Sequence, residues 1–205
     1  MKMAILTDTH CGIRNSSEVF LDNAEDFYTN IFFPECEKRG VKQILHLGDY
    51  YDHRKFVNFK ALNQNRRVFL DQLRKNNMTM DIIPGNHDTY YKNTNELNAL
   101  KECLGHYMNE IHIVMEPTVM QYGSLSMALL PWICADNYNQ SMNFIRDCKA
   151  DWLGAHLELA NFEIGRGILA PHGMDPKIFQ KFEQVLSGHY HTASRKDNIW
   201  YLGNP

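Results

Sequence analysis

Ile82-Ile83-Pro84-Gly85-Asn86-His87-Asp88 runs from the apolar end of residues 79–83 into a turn bearing an amide, an imidazole and a carboxylate. An apolar run of that length, closed by proline and glycine, reads as a buried strand. A turn crowded with ligand-type side chains directly after it reads as the rim of a site. Working outward, the same arrangement recurs along the chain. Residues 3–6 lead to Asp8-Thr9-His10, residues 43–47 to Gly48-Asp49, residues 152–155 to His156, and residues 184–187 to Gly188-His189-Tyr190-His191. Residues 111–114, 126–130 and 199–202 are further strand-like runs without such a tail.

Helical spacing fills the gaps between these runs. Ser17 is placed to cap a helix reaching about Arg39, with Phe20, Ala24, Phe27 and Ile31 recurring at steps of three and four and Gly40 as its C-terminal glycine. A second helix runs from about Asn58 to Lys75, with Leu62, Phe69 and Leu73 on one face. Shorter helices are expected over 95–104, over 137–149, where Asn137 and Gln140 have capping-box spacing, and from Asp175-Pro176 through about Phe182. Strands alternating with helices need crossover connections, which predicts an α/β fold with a largely parallel sheet covered on both faces. In such sheets the ligand crevice lies beyond the carboxyl ends of the strands, where each motif falls.

A length of 205 residues suits one domain, at about 150 residues per domain as a soft prior. With 44% hydrophobic and 22% charged residues the chain is globular in composition, not disordered. The net charge of -3 excludes a surface that holds nucleic acid by charge alone. It leaves a nuclease open, because two bound dications carry their own positive field. Arg14, Arg54, Lys55, Lys92, Arg166 and Arg195 lie near the motifs and would supplement that field, or else are solvated surface charge. Five irregularly spaced cysteines with no C-x-x-C pair argue for reduced thiols. Cys11, beside His10, is expected to be a small buried filler. Residues 3–6 fall short of the apolar core of a signal peptide, about 7 to 15 residues, and no run approaches the about 18 apolar residues of a membrane helix. A cytoplasmic protein without a membrane partner is expected.

Aspartate, asparagine and histidine are mixed oxygen and nitrogen donors, suited to divalent ions such as manganese or iron. Asp8 and His10, two apart on an extended tail, can face one ion. An aspartate in mid-chain suits a bridging role, its two oxygens each holding one dication about 3.5 to 4 Å apart. Each motif alone has a plainer reading: an aspartate in a turn, an Asx turn beside a histidine, a buried histidine at position 156. His46, inside a strand, is expected in the core, and His106 and His112 in a connecting segment. His53 and His172 sit in loops near motifs, where either would contact phosphate or serve as surface. Tyr50, Tyr51, Tyr90 and Tyr91 follow two of the motifs, placed either to stack on nucleobases or to pack a lid.

Taken in order, D-x-H, GD, GNHD, H and GHxH resemble the calcineurin-like metallophosphoesterase superfamily over nearly the whole chain, Asp8 to His191. Finer features are similar to the SbcD-type recombination and repair nucleases and to the nuclease subunit encoded by tailed bacteriophages. These are Gly48-Asp49-Tyr50-Tyr51-Asp52 with Arg54-Lys55, Leu130-Pro131-Trp132, and the ending from Gly188-His189-Tyr190-His191-Thr192 to Tyr201-Leu202-Gly203-Asn204-Pro205. The resemblance implies the family's layered β-sheets flanked by helices. It also implies two divalent ions, manganese foremost with magnesium or iron as alternatives: one held by Asp8, His10, Asp49 and His191, the other by Asp49, Asn86, His156 and His189, with Asp49 bridging. His87 would be the general acid or transition-state donor, oriented by Asp88, while His53, Arg54, Tyr90 and His172 are candidate substrate contacts. The activity implied is manganese-dependent exonuclease on duplex DNA ends and endonuclease on single strands, in a homodimer working with an SMC-like ATPase. Many relatives carry a histidine where this chain has Asp52, followed by His53. Residues 1–205 are expected to be the nuclease domain, without the family's C-terminal capping domain and ATPase-binding tail.

Two other functions use the same residues. A phosphomonoesterase or small-molecule phosphodiesterase fits the acidic balance, and a non-catalytic scaffold would have lost ligands, whereas every expected position is filled. Protein phosphatases usually carry glutamate after GNH and arginine-glycine after GD-x-x-D; Asp88 and His53-Arg54 stand there instead.

Overall fold

Residues 2–205 are described in the computed structural model. Strand β1 (Met3–Leu6) is followed by a left-handed turn and then by α1, which comprises Glu18–Asp26, a wider-wound stretch Phe27–Phe32, and Phe33–Arg39. Pro34 has no N–H for the preceding turn, and the wide stretch lies just before it, where such a helix can loosen without ending. Gly40 ends the helix at φ 66, as its position predicts. Then come β2 (Gln43–His46), α2 (Phe59–Asn65, Arg66–Leu70, Asp71–Lys75), β3 (Thr79–Ile82), α3 (Ala99–Leu104) and β4 (Ile111–Ile113). The chain continues through β5 (Thr118–Tyr122), β6 (Leu125–Leu130), α4 (Tyr138–Asp147), β7 (Trp152–His156) and the small hairpin β8 (Glu163–Gly165) and β9 (Ile168–Leu169). It closes with β10 (Gln184–Gly188), β11 (Ser194–Lys196) and β12 (Ile199–Tyr201).

The strands form two principal sheets where one largely parallel sheet was expected. The first is parallel, in the order β1-β2-β3-β4, and the second is mixed, in the order β11-β12-β10-β7-β6-β5. Alternation along each strand explains the layering. In β2, Ile44 points into the core under α1 and α2 with Tyr28, Phe69 and Leu73, while Leu45 points the other way, toward Leu129 and Leu186 of the second sheet. In β10, Leu186 joins that inter-sheet layer and Val185 packs outward with Leu153, Phe179 and Phe182. Both faces of each sheet are therefore apolar, one against helices or loops and one against the other sheet. Gly154 leaves room for the first sheet: a Cβ there would meet Leu47 at 3.0 Å and Leu45 at 3.4 Å.

Three local expectations are corrected. The helix expected over 95–104 starts at Ala99, because Asn98 is the residue whose side chain accepts from the Lys101 N–H at 3.0 Å. Asn137 does not form a capping box: its Oδ1 accepts from the Cys134 N–H at 2.8 Å, and Gln140 bonds Glu116 instead. Asp175 does cap its element, accepting from the Lys177 N–H at 3.0 Å, but only the short 3-10 turn Pro176–Phe179 follows. Among the described residues no helix is long and apolar enough to cross a membrane.

Candidate active site

All five motifs meet at one edge, beyond the carboxyl ends of β1, β2 and β3 in the first sheet and of β7 and β10 in the second. The first two extend the β1–β2 pairing past its end, the Asp8 N–H donating to the Gly48 carbonyl at 3.0 Å and the His10 N–H to the Asp49 carbonyl at 3.1 Å. Asp8, His10, Asp49 and His189 all have positive φ, at 51°, 43°, 53° and 91°. For residues other than glycine that conformation costs on the order of 1–3 kcal/mol each and concentrates at functional sites. Three glycines leave the room these turns need. A Cβ on Gly85 would lie 2.2 Å from Asp49 Oδ1, one on Gly48 2.7 Å from the Gly85 nitrogen, and one on Gly188 2.0 Å from Thr7 Oγ1.

The ligand-type atoms form three groups, of which His10, Asp52 and His87 make one and the other two lie side by side. In one, Asp8, His10 and His191 offer donor atoms all within 4.8 Å of one another, and His10 Nε2 lies 3.0 Å from His191 Nε2. In the other, Asp49, His156 and His189 do the same, with Asn86 Oδ1 between them at 3.0 Å from His156 Nε2 and 2.8 Å from His189 Nδ1. Asp49 Oδ2 faces both groups, 3.8 Å from His10 Nε2 and 3.3 Å from His156 Nε2. Its other oxygen is occupied, accepting the His87 N–H at 2.7 Å. One Asp49 oxygen thus faces both groups while the other is bonded to the His87 backbone.

Supporting bonds hold these atoms in place. The His156 Nδ1–H donates to the Leu47 carbonyl at 2.8 Å, which leaves Nε2 facing the group. Thr7 Oγ1 donates to Asp8 Oδ2 at 2.6 Å, and the His189 N–H reaches both Asp8 oxygens at 3.1 Å. Trp132 lies against His189 with ring centroids 5.4 Å apart. Thr7 and Leu47 carry no sign of this in sequence, since each acts through one short contact made after folding.

Electrostatics favour a cation. Asp8 and Asp49 are 2% and 1% exposed, and among the described residues no lysine or arginine pairs with either. Buried carboxylates need a compensating charge, and among the described residues the partners at ion-pair distance are histidines. Burial opposes ionisation of Asp49, yet His156, followed by His10 and His87, holds its pKa below the usual carboxylate range. His156 in turn is raised to about 9, because Asp49 and Asp8 outweigh burial. His189 is lowered to about 3 by burial and then by His156, and His191 is lowered by burial and His10. Divalent ions therefore fit: the donor set mixes oxygen and imidazole nitrogen, and the carboxylates lack any fixed cation.

His87 stands beside the first group, its ring edge-on to His10 at 4.9 Å. Its Nδ1–H donates to the Asp52 carbonyl at 2.6 Å, leaving Nε2 for a substrate. The expectation that Asp88 orients His87 is corrected by this contact. The Asp88 carboxylate points away, accepting N–H bonds from Tyr51 and Gly85 at 2.9 Å each and from Tyr50 at 3.3 Å. It clips the second and third motifs together. Burial and then the Asp49 charge push its pKa up to about 7 against those three donors. Asp52 also faces His10 with its side chain, Oδ1 lying 3.3 Å from Nδ1, an ion-pair distance.

The other candidates divide. His53 and Arg54 follow Asp52, whose carbonyl holds His87, and the Arg54 guanidinium donates to the Thr89 carbonyl and hydroxyl at 3.2 Å, next to Tyr90. His172 is exposed and is brought into neither group. Tyr50 and Tyr51, 1% and 0% exposed, are core residues under α1 and α2, so no base can stack on them. His46 is buried as expected, Nε2 lying 3.0 Å from Thr9 Oγ1, and Cys11 is largely buried, with burial pushing its thiol up to about 12.

The chain is 30% identical over 205 residues, all of its length, to exonuclease subunit 1 of Enterobacteria phage T4, and spans 59% of that protein. Two solved structures are looser matches. One is the Pseudomonas putida nuclease MPE, 18% identical, TM-score 0.41, covering 93% of this chain and 62% of its own. The other is a hypothetical protein from Thermus thermophilus, 12% identical, TM-score 0.47, covering 100% of this chain and 75% of its own. The family model for calcineurin-like phosphoesterases matches residues 1–193, which include every motif at the sheet edge. This chain belongs to the calcineurin-like phosphoesterase family, with its fold of two layered β-sheets flanked by helices and its divalent-metal-dependent phosphoester chemistry.

Proposed function

We propose that this protein hydrolyses phosphodiester bonds of DNA with two divalent ions, manganese foremost. Asp8, His10, Asp49 and His191 would hold one ion, and Asp49, Asn86, His156 and His189 the other. The observation that carries this reading is the pair of donor groups facing a single Asp49 oxygen, with His87 set beside them and free at Nε2. Bound there, the ions would turn water into a nucleophile and neutralise charge on the attacking and leaving oxygens. His87 would donate to the phosphate oxygen that gains charge, its ring fixed by the Asp52 carbonyl. Thr7, Leu47 and the backbone of His87 keep the donor atoms aimed before substrate arrives.

The step from phosphoester to DNA is supported by the 30% identity to an exonuclease subunit. In that setting the chain would act on duplex ends and single strands as a homodimer, with an SMC-like ATPase partner, during recombination or repair in a phage host's cytoplasm. The test is a manganese-dependent assay on single-stranded DNA, duplex ends and a phosphomonoester. His87→Ala should lower DNA cleavage about 10²- to 10⁴-fold with metal content retained, the usual range for a lost proton-transfer group. Asp49→Ala should lose both metal and activity. Monoester turnover without DNA cleavage would replace the nuclease by a phosphomonoesterase, and full activity in Asp49→Ala would remove the two-metal site.

A further inference from the structure

We propose that the aromatic ridge made by residues 53–59 and 89–92, beside His87, is a platform that binds unpaired nucleotides of a single strand by stacking. This rests on the nuclease reading and specifies which form of nucleic acid the site receives. The two segments are tied side by side. Asp52 accepts from His87 Nδ1 at 2.6 Å, Arg54 bonds the Thr89 carbonyl and hydroxyl, and the Lys55 ammonium lies 5.9 Å from the Tyr90 ring centre. On this base sit two aromatic pairs. His53 and Phe56 stack with centroids 4.1 Å apart and planes 25° from parallel, and Tyr90 and Tyr91 meet edge-on at 4.7 Å. Phe56 is 57% exposed and Tyr91 52%, so each pair leaves aromatic surface open to solvent, as does Phe59, 86% exposed, three residues on from Phe56.

Charge identifies the occupant. Residues 53–60 and 89–95 contain Arg54, Lys55, Lys60 and Lys92 and no aspartate or glutamate, in a chain whose net charge is -3. Lys60 is engaged by Glu18, while Lys55 and Lys92 have no carboxylate partner among the described residues. Cations alternating with open aromatic faces suit a polyanion that exposes ring faces of its own, which describes an unpaired strand; a duplex keeps its base faces stacked inside. A second copy of this chain is a poor fit. A two-fold contact would set the same patch against itself and bring these cations together without an acid between them.

The test measures binding with chelator present, so that no hydrolysis intervenes. A labelled oligothymidylate and a duplex of equal length are titrated by fluorescence anisotropy with wild-type protein, Phe56→Ala, Tyr91→Ala and Phe56→Trp. Each alanine should weaken single-strand binding about fivefold to a hundredfold, the stacking of one base converted at tenfold per about 1.4 kcal/mol. Phe56→Trp should bind at least as tightly as wild type, and duplex binding should change by less than about twofold. Lys55→Ala and Lys92→Ala should each reduce the salt dependence, by about 0.7 in the log–log slope per lost phosphate contact. Phe56 and Tyr91 are exposed, so melting temperatures should stay put.

Wild-type single-strand affinity in both alanine variants overturns the platform, as does equal weakening on single strand and duplex. A change of oligomeric state in Phe56→Ala, with single-strand affinity unchanged, assigns these rings to a contact between copies and overturns it too. The nuclease reading is judged separately, by whether wild-type protein with manganese cuts DNA at all.

Discussion

Gly85→Ala adds one methyl group to the most specific motif, and the structure says where it lands. The new Cβ would sit 2.2 Å from Asp49 Oδ1, 2.3 Å from the Asp49 nitrogen and 2.9 Å from its Cγ. To reach even 3.0 Å the gap to Oδ1 must open by about 0.8 Å. A flexible side-chain end would give way cheaply, but one of these atoms is backbone. Asp49 is further fixed by its bond from the His87 N–H at 2.7 Å and by its carbonyl accepting from His10. The third motif must therefore shift against the second. Overpacking of this kind costs about 1–3 kcal/mol, offset by about 0.4–1 kcal/mol for the lost backbone freedom of the unfolded glycine. The net cost is at most about 2.6 kcal/mol, and at about 2–4 °C per kcal/mol for a chain of this size Tm should fall by up to about 10 °C. The effect on chemistry should be larger than that on stability, since a displacement near 1 Å at a site can cost about 10²-fold in rate. Calorimetric melting of the metal-free protein, a manganese binding isotherm and DNA cleavage measure the three quantities. Gly105→Ala is the control, as nothing lies within 4 Å of its added Cβ. If Gly85→Ala keeps the wild-type Tm and manganese affinity, the two turns are not locked together and the geometric reasoning fails.

Asp52→Asn should weaken manganese binding about 10- to 100-fold, the usual cost of losing the carboxylate behind a ligating histidine, because His10 Nδ1 faces Asp52 Oδ1 at 3.3 Å. The His87 contact should survive in that variant, as it uses the Asp52 backbone carbonyl; an isotherm identical to wild type would show that Asp52 does not position His10. Asp88→Asn places an amide N–H₂ among the N–H groups of Tyr50, Tyr51 and Gly85, leaving a buried donor unpaired at about 1–3 kcal/mol, and denaturant unfolding of the metal-free protein should show that loss. His46 supplies a pH dependence. Burial, then the charge of His156, lowers its pKa from 6.5 to about 3, so the unfolded state binds the extra proton between those values. Its contribution is complete above about 6.5 and is lost as pH falls toward 3. Between pH 7 and pH 5 that loss comes to about 2 kcal/mol at about 1.4 kcal/mol per pKa unit. Urea melts of metal-free wild type and His46→Gln should differ by this amount in their pH response, and parallel responses would refute it.

What the chain revealed before folding, and what it hid, follows from how far each contact reaches along the sequence. The motifs were legible because strand, turn and ligand type lie within a few residues of one another, as in residues 82–88. The second sheet was not, because Ile44 and Leu45 are both apolar. Such a strand declares that both faces are covered without saying that helices cover one and another sheet the other. Tyr50 and Tyr51 follow Asp49 directly and still lie in the core, since α1 and α2 close over them from distant parts of the chain. Asp88 adjoins His87 in sequence, yet a sharp turn sends the two side chains apart, and its partners at Tyr50 and Tyr51 lie 38 and 37 residues away. Asp52 shows the converse. Nothing in its sequence position marks it as part of the site, but folding brings its carboxylate to His10 and its carbonyl to His87. Asp52 thus meets the site through two separate groups, and this is why the positioning of His10 and His87 can be separated by mutation in this chain.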